Sequence, residues 1–234
     1  MRKNGFTLVE VIVAMAVGAA IMVAVYGFMV LVQKNSANMD RKVVTLQDTR
    51  TVLDLMAMEI RMASYNPTDY NATWSNPSPL ACMPTAPTNY RGIKSANANS
   101  IAVAMDLDGS GTIGDGTSEY IVYSYDGAST ITRSVSGSSN CGTADAILGG
   151  TALSSNVRNA AAGVNLFRYF DRNNPENEIT NTVINSPASI VNGIPAIRRI
   201  LITIVADTAD KDLNKQQYKR VVYSTSVIVR NHAY

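Results

Sequence analysis

From Phe6 to Val32 the chain runs for 27 residues with only two ionisable groups, Glu10 and the phenol of Tyr26. A helix needs about 20 apolar residues to cross the hydrocarbon of a bilayer. Few folds accommodate such a segment at one end of a chain, and a lone carboxylate inside it needs a reason. An acid deep in lipid costs at least about 2–3 kcal/mol, although near the end of a helix it snorkels toward the interface. The remainder of the 234 residues is rich in Asn, Ser, Thr and Ala and is expected to be one soluble domain. The formal charge of +2, with no long basic run, gives no direct nucleic-acid signal.

Three readings of the N-terminus compete. Arg2 and Lys3 followed by an apolar centre suit a secretory signal. The run is longer than a typical signal core, however, and no small-x-small cleavage site follows it. A simple anchor also fits; basic residues before the span keep the stub cytoplasmic and send the bulk of the chain out. Neither reading explains Glu10.

The stretch GFTLVE, Gly5 to Glu10, resembles the processing site of type IV prepilins and of the pseudopilins of type II secretion. The resemblance rests on the basic stub, Gly5, Phe6, Thr7, Leu8 and Glu10 in order, followed by the apolar run. It implies cleavage by a prepilin peptidase between Gly5 and Phe6, N-methylation of Phe6, and an assembly role for Glu10 as the fifth mature residue. The physics agrees. Cleavage creates a cationic amine at the end of an apolar helix, and a carboxylate one turn along offsets it, in the same chain or a neighbour's. Thr7-x-x-Glu10 also matches a capping box, so a plain N-cap is the alternative for Glu10.

After Val32 the pattern turns amphipathic. Met39, Val43, Leu46, Leu53, Ala57 and Ile60 follow helical spacing, broken at Arg50, with Val44, Val52, Leu55, Met58 and Met62 widening the stripe. One helix is predicted from Phe6 to Tyr65, ending before Asn66-Pro67, with the stripe on a core. The expected division is 1–5 leader, 6–33 membrane or filament-core helix, 34–65 amphipathic half, and 66–234 globular β-rich domain. Strands are expected at 101–105, 119–126, 130–135, 164–171, 197–206 and 220–230, with a tight turn at Asp126-Gly127. Segments 66–99, 136–160 and 172–195 read as loops, and Asp207 to Lys215 as a solvated one. The fold class is α+β: a long N-terminal helix across one face of a mostly antiparallel sheet.

The order of a Gly-rich acidic hairpin loop, then FRYFD, then a closing strand ending in Val229, Arg230 and Asn231 resembles the PilW-type minor pilins, relatives of the J-type pseudopilin. The resemblance implies as partners a major pilin, other minor pilins or pseudopilins, the prepilin peptidase and an inner-membrane assembly platform. Membrane lipid holds the subunit before assembly. It also implies single-pass insertion in the bacterial inner membrane and later residence in a periplasmic or extracellular filament.

The loop DLDGSGTIGDGTSE partly matches a calcium loop. Asp106, Asp108 and Ser110 hold the first side-chain ligand positions, and Thr112 supplies a carbonyl. The twelfth position is Thr117, which offers no bidentate carboxylate, so Asp115 or Glu119 would close the shell after rearrangement. The alternative is a solvated hairpin whose Gly, Asp and Ser only make the turn. Cys82 and Cys141 lie in loop-like stretches. In an exported domain they are expected as one disulfide, contributing roughly 4 kcal/mol on the chain-entropy model; two free thiols are the alternative. No catalytic constellation emerges. His232 is the only histidine, no phosphate-binding loop exists, and an enzyme is not expected.

Overall fold

The computed structural model describes residues 5, 7–67, 92–111, 118–136, 144–150, 155–173, 177–180, 194–208 and 210–230. One helix, α1, spans Leu8–Arg61. Its 54 residues give a rod about 81 Å long. Thr7 caps it: its hydroxyl accepts from the Glu10 N–H at 3.3 Å while the Glu10 carboxylate accepts from the Thr7 N–H at 2.9 Å. The helix stops at Arg61, four residues short of the expected Tyr65. Ser64 adopts φ 67°, and its N–H leaves the helix to donate to the Ala104 carbonyl at 3.0 Å. Gly92 packs against this turn with φ 59°. A Cβ there would lie 1.9 Å from Ser64 Oγ, so only glycine lets the two segments meet.

Ten strands follow. Ile93–Ala96 (β1), Ser100–Ala104 (β2), Tyr120–Tyr125 (β3), Thr130–Ser136 (β4) and Asp145–Gly149 (β5) form one antiparallel meander in chain order. Ser155–Val157 (β6), Phe167–Phe170 (β7), Glu178–Ile179 (β8), Arg199–Thr208 (β9) and Arg220–Ile228 (β10) form a second antiparallel sheet, ordered β10-β9-β7-β8, with β6 on the far end of β9. The expected strands are all present. The short β1, β5, β6 and β8 lie where only loops were expected, and the strands divide into two sheets rather than one. Both sheets and the second half of α1 share a single buried core, including Met56, Ile60, Ile101, Ile121, Phe167, Ile200 and Val227. The β3–β4 turn forms at Asp126-Gly127 as expected: Asp126 Oδ1 accepts from the N–H groups of Ala128, Ser129 and Thr130 at 2.7–3.0 Å.

The helix differs from its expected facing. Leu8 to Val32 stands clear of the domain, and nothing surrounds a Cβ at Gly18 or Gly27. From 38 to 49 the buried face is polar: Asn38, Thr45 and Thr49 turn inward while Met39, Val43 and Val44 are exposed. Threonine makes this inexpensive. Thr45 Oγ1 donates to the Arg41 carbonyl at 3.0 Å and Thr49 Oγ1 to the Thr45 carbonyl at 2.7 Å, so each hydroxyl is satisfied within the helix. Asn38 is held by the β9–β10 loop, donating to Asp212 Oδ1 at 3.0 Å and accepting from the Leu213 N–H at 2.9 Å. Arg41 donates to the Lys211 carbonyl at 3.1 Å and Asn214 Nδ2 to Asn35 Oδ1 at 2.7 Å. The stretch expected as a solvated loop is therefore a clasp on the helix. Lys219 and two backbone N–H groups hold Asp212 well below the usual carboxylate range, at about 2.

Candidate functional site

Among the described residues two places carry chemistry. The first is the start of α1. Gly5 and Thr7 are exposed, and Phe6 lies outside the described residues. Glu10 is exposed on the first turn and, among the described residues, is held by Thr7, with Thr7 Oγ1 donating to its Oε2 at 3.1 Å. The carboxylate thus sits at the end of an uncovered apolar rod, preorganised by its cap and open to a further partner.

The second place is the β2–β3 connection. Antiparallel pairing sets Ala104 opposite Tyr120, and the Met105 N–H donates to the Glu119 carbonyl at 2.9 Å. This brings Asp106 at the end of one strand against Glu119 at the start of the next. Both are fully buried, Asp108 is exposed, and the three carboxylates offer ligand oxygens within 4.8 Å of one another. Backbone amides define each position. Glu119 Oε1 accepts from Leu107 and Asp108 N–H at 2.8 and 3.2 Å. Asp106 accepts from Gly109 and Gly111 N–H at 2.7 and 2.9 Å. Asp108 accepts from the Ser110 N–H at 2.8 Å, which holds its carboxyl below the usual range. Gly109 and Gly111 take φ of 76° and 82°, which lets the loop curl its N–H groups inward.

Like charges this close and this dry are costly unless a cation or a proton joins them. An all-oxygen donor set of carboxylates suits a hard divalent cation. The cluster is able to hold a metal ion. Strand pairing brings Glu119 to the cluster without the rearrangement expected from sequence. Ser110 is on the loop surface; Thr112 and Asp115 lie outside the described residues, as do Cys82 and Cys141. The acidic loop is tied to the helix end, since the Asp106 N–H donates to the Tyr65 carbonyl at 2.8 Å.

Sequence reasoning missed one buried polar centre. Glu59, near the end of α1, accepts from Arg133 Nη2 at 2.6 Å and Nε at 3.0 Å, and from the Tyr123 hydroxyl. It bolts the helix to β3 and β4. Its signal was an acid on the inward face of an amphipathic helix, legible only once the face was known.

Among the described residues one helix is long and apolar enough to cross a membrane, and it bears a β domain at its far end. That defines the class: a chain with one N-terminal apolar helix and an antiparallel β-rich head. Residues 1–26 match the prokaryotic N-terminal methylation motif, the signature of type IV pilins and pseudopilins. No curated protein and no solved structure matches the chain.

Proposed function

We propose that the chain is a minor pilin or pseudopilin, a structural rather than catalytic subunit that assembles into a type IV pilus or related filament. The observation that carries this is the uncovered apolar half of α1, Leu8 to Val32, with the matched motif at its start and a folded head at its end. In this reading the leader 1–5 is removed, Phe6 becomes the N-methylated first residue, and the helix leaves lipid for a bundle of other subunits' helices. The prepilin peptidase, an assembly platform and the major pilin are its partners. Glu10 sets register: held by Thr7 in the single chain, it meets the new ammonium in a dry bundle, where only one stagger satisfies both charges. The PilW-like order of the head, FRYFD then the closing β10, favours an initiating or tip-proximal place. A J-like pseudopilin of a secretion system is the close alternative.

Mass measurement of the protein from its native host tests the reading. The expected N-terminus is methylated Phe6; an intact Met1 with no filament association would overturn it. In the same host Glu10→Gln is expected to be cut normally and to enter filaments far less often. Normal incorporation reduces Glu10 to a helix cap.

Calcium is the cation we assign to Asp106, Asp108 and Glu119, with Ser110, Thr112 and Asp115 close enough in sequence to complete the shell. The fully buried pair Asp106 and Glu119 supports this. It also sustains a second reading, a membrane-tethered, calcium-dependent adhesin that never assembles. At a hundredfold excess over Kd, calcium adds about 2.7 kcal/mol. For a domain of this size that raises Tm by roughly 5–10 °C. Glu119→Gln should remove the shift. Superimposable melting curves with calcium and with chelator would dismiss the site. Cys82 and Cys141 are assigned as one disulfide of the exported head; two reactive thiols in the unreduced native protein would refute it.

A further inference from the structure

The last strand, β10, is an edge of the second sheet. It pairs with β9 on one side and, among the described residues, with no strand on the other. Natural sheets blunt such an edge with short strands, bulges, proline or charge, because unpaired N–H and C=O groups template a further strand. β10 has none of these. Its nine residues keep one unbroken register with β9, from Arg220 opposite Asp207 to Ile228 opposite Arg199. Between Arg220 and Arg230 it holds neither proline nor charge. We propose that this edge is a docking site for an extended segment of a partner protein, which adds as a further strand beside β10. The inference goes beyond the filament reading and does not depend on it.

Register decides which backbone groups are open. The Lys219 carbonyl accepts from the Thr208 N–H at 3.0 Å, and the Val229 N–H donates to the Arg198 carbonyl at 3.1 Å. Antiparallel pairing alternates, so Val221, Tyr223, Thr225 and Val227 turn their N–H and C=O groups to β9. Val222, Ser224, Ser226 and Ile228 turn theirs away from it. Among the described residues no backbone bond from another segment reaches these four. Their side chains share the outer face of the sheet, where Val222 is 60% exposed and Ile228 59%. The edge therefore offers a ladder and, near each end of it, an apolar contact left in water.

The occupant is not a second copy. Two copies joined β10 to β10 in one antiparallel sheet are related by a two-fold axis perpendicular to it. Because α1 packs across that sheet, this axis points the two apolar rods in opposite directions, and insertion into one membrane admits only one direction. An extended segment of another protein meets no such conflict. Charge sets what that segment carries. Arg220, at one end of the edge, is already held by Asp207 Oδ1 at 2.9 Å. At the other end Arg230 is exposed, and Arg199, stacked 3.9 Å from the Phe170 ring centroid, lies beside Ile228. The segment that fits alternates apolar and small polar residues and bears carboxylates where it passes Arg199 and Arg230.

The probe is a synthetic peptide of about nine residues that alternates valine and threonine and ends in two aspartates, added to the full chain in detergent. Hydrogen exchange, read residue by residue, should first show fast amides at Val222, Ser224, Ser226 and Ile228 between slow ones at Val221, Tyr223, Thr225 and Val227. The peptide at about 1 mM should slow the fast set at least about tenfold. Lysines in place of its aspartates should weaken binding at least about threefold. Ser226→Pro removes an N–H that β9 does not use, so the melting midpoint should stay within about 2 °C while peptide affinity falls at least about tenfold. Ser226→Ala keeps the donor and should bind like the unaltered chain. Amides of the fast set that are already slow in the free chain, or that stay fast with the peptide, overturn the inference. Equal binding of the lysine peptide overturns the acidic character assigned to the partner. Slowing that rises with protein concentration and needs no peptide gives the edge to a second copy and overturns the choice of occupant. None of these outcomes bears on methylated Phe6 or on filament entry, so the filament reading stands or falls separately.

Discussion

Glu59→Ala should cost about 3–5 kcal/mol, the largest single-site loss expected in the head. The carboxylate is 6% exposed and accepts two bonds from Arg133 and one from Tyr123. The same contact raises the Arg133 guanidinium further. Burial first, and the Glu59 bond next, push the Tyr123 phenol far above its ordinary value. Removing Glu59 leaves the buried Tyr123 hydroxyl and the partly exposed Arg133 guanidinium without their shared acceptor. Against a total of about 5–15 kcal/mol, the loss is a large fraction of stability. The thermal midpoint should fall by roughly 10–15 °C. The pair Glu59→Leu with Arg133→Met should recover most of it, because two apolar groups replace a buried ion pair at little net cost. A Glu59→Ala midpoint within a degree or two of wild type would show that the network contributes little. Insertion and leader cleavage should be unaffected, since Leu8 to Val32 makes no use of the head.

Stability of the head should rise, not fall, between pH 8 and about 10. Lys94 on β1 is 3% exposed, and burial depresses its amine to about 8 from an ordinary 10.5. Between those values the unfolded chain binds a proton that the folded chain does not, so raising pH favours folding. A shift of this size corresponds to about 3 kcal/mol, all of it a destabilisation at neutral pH that is relieved as the amine discharges. Above pH 10 the sign reverses. Burial raises the phenols of Tyr120, Tyr123 and Tyr169, so the unfolded chain loses protons there first and stability falls. Guanidinium titrations followed by near-ultraviolet dichroism should show a midpoint that climbs from pH 8, peaks near 10 and then drops. The climb should vanish in Lys94→Met. A monotonic fall from pH 8 in the unaltered protein would refute the assignment.

Several features were legible in the chain because they depend on near neighbours. The capping box of Thr7 and Glu10, the uninterrupted helix and the Asp126-Gly127 turn each follow from residues a few positions apart. The strands at β2, β3, β4, β7, β9 and β10 announced themselves through β-branched runs. The short β1, β5, β6 and β8 did not, since runs of two to five residues there carry too little pattern to outweigh their turn-rich surroundings.

The acidic loop was half legible. Its composition pointed to a cation, but the ligand motif put the closing carboxylate at Thr117. Pairing of Ala104 with Tyr120 puts Glu119 there instead, and a hairpin register is a property of two strands together.

By itself, then, the sequence determined the membrane-length rod, its N-terminal motif and the acid one turn inside it, because helix formation and lipid partition act on contiguous residues. Only the tertiary structure decided which side of that rod the head would grip. Apolar spacing alone favoured Met39 and Val43 as core. The fold buries Asn38, Thr45 and Thr49 instead, because the β9–β10 clasp bonds the Asn38 amide and the helix's own carbonyls accept from both threonine hydroxyls. A residue's burial depends on the partners that reach it, and for Asn38 those come from about 170 positions away.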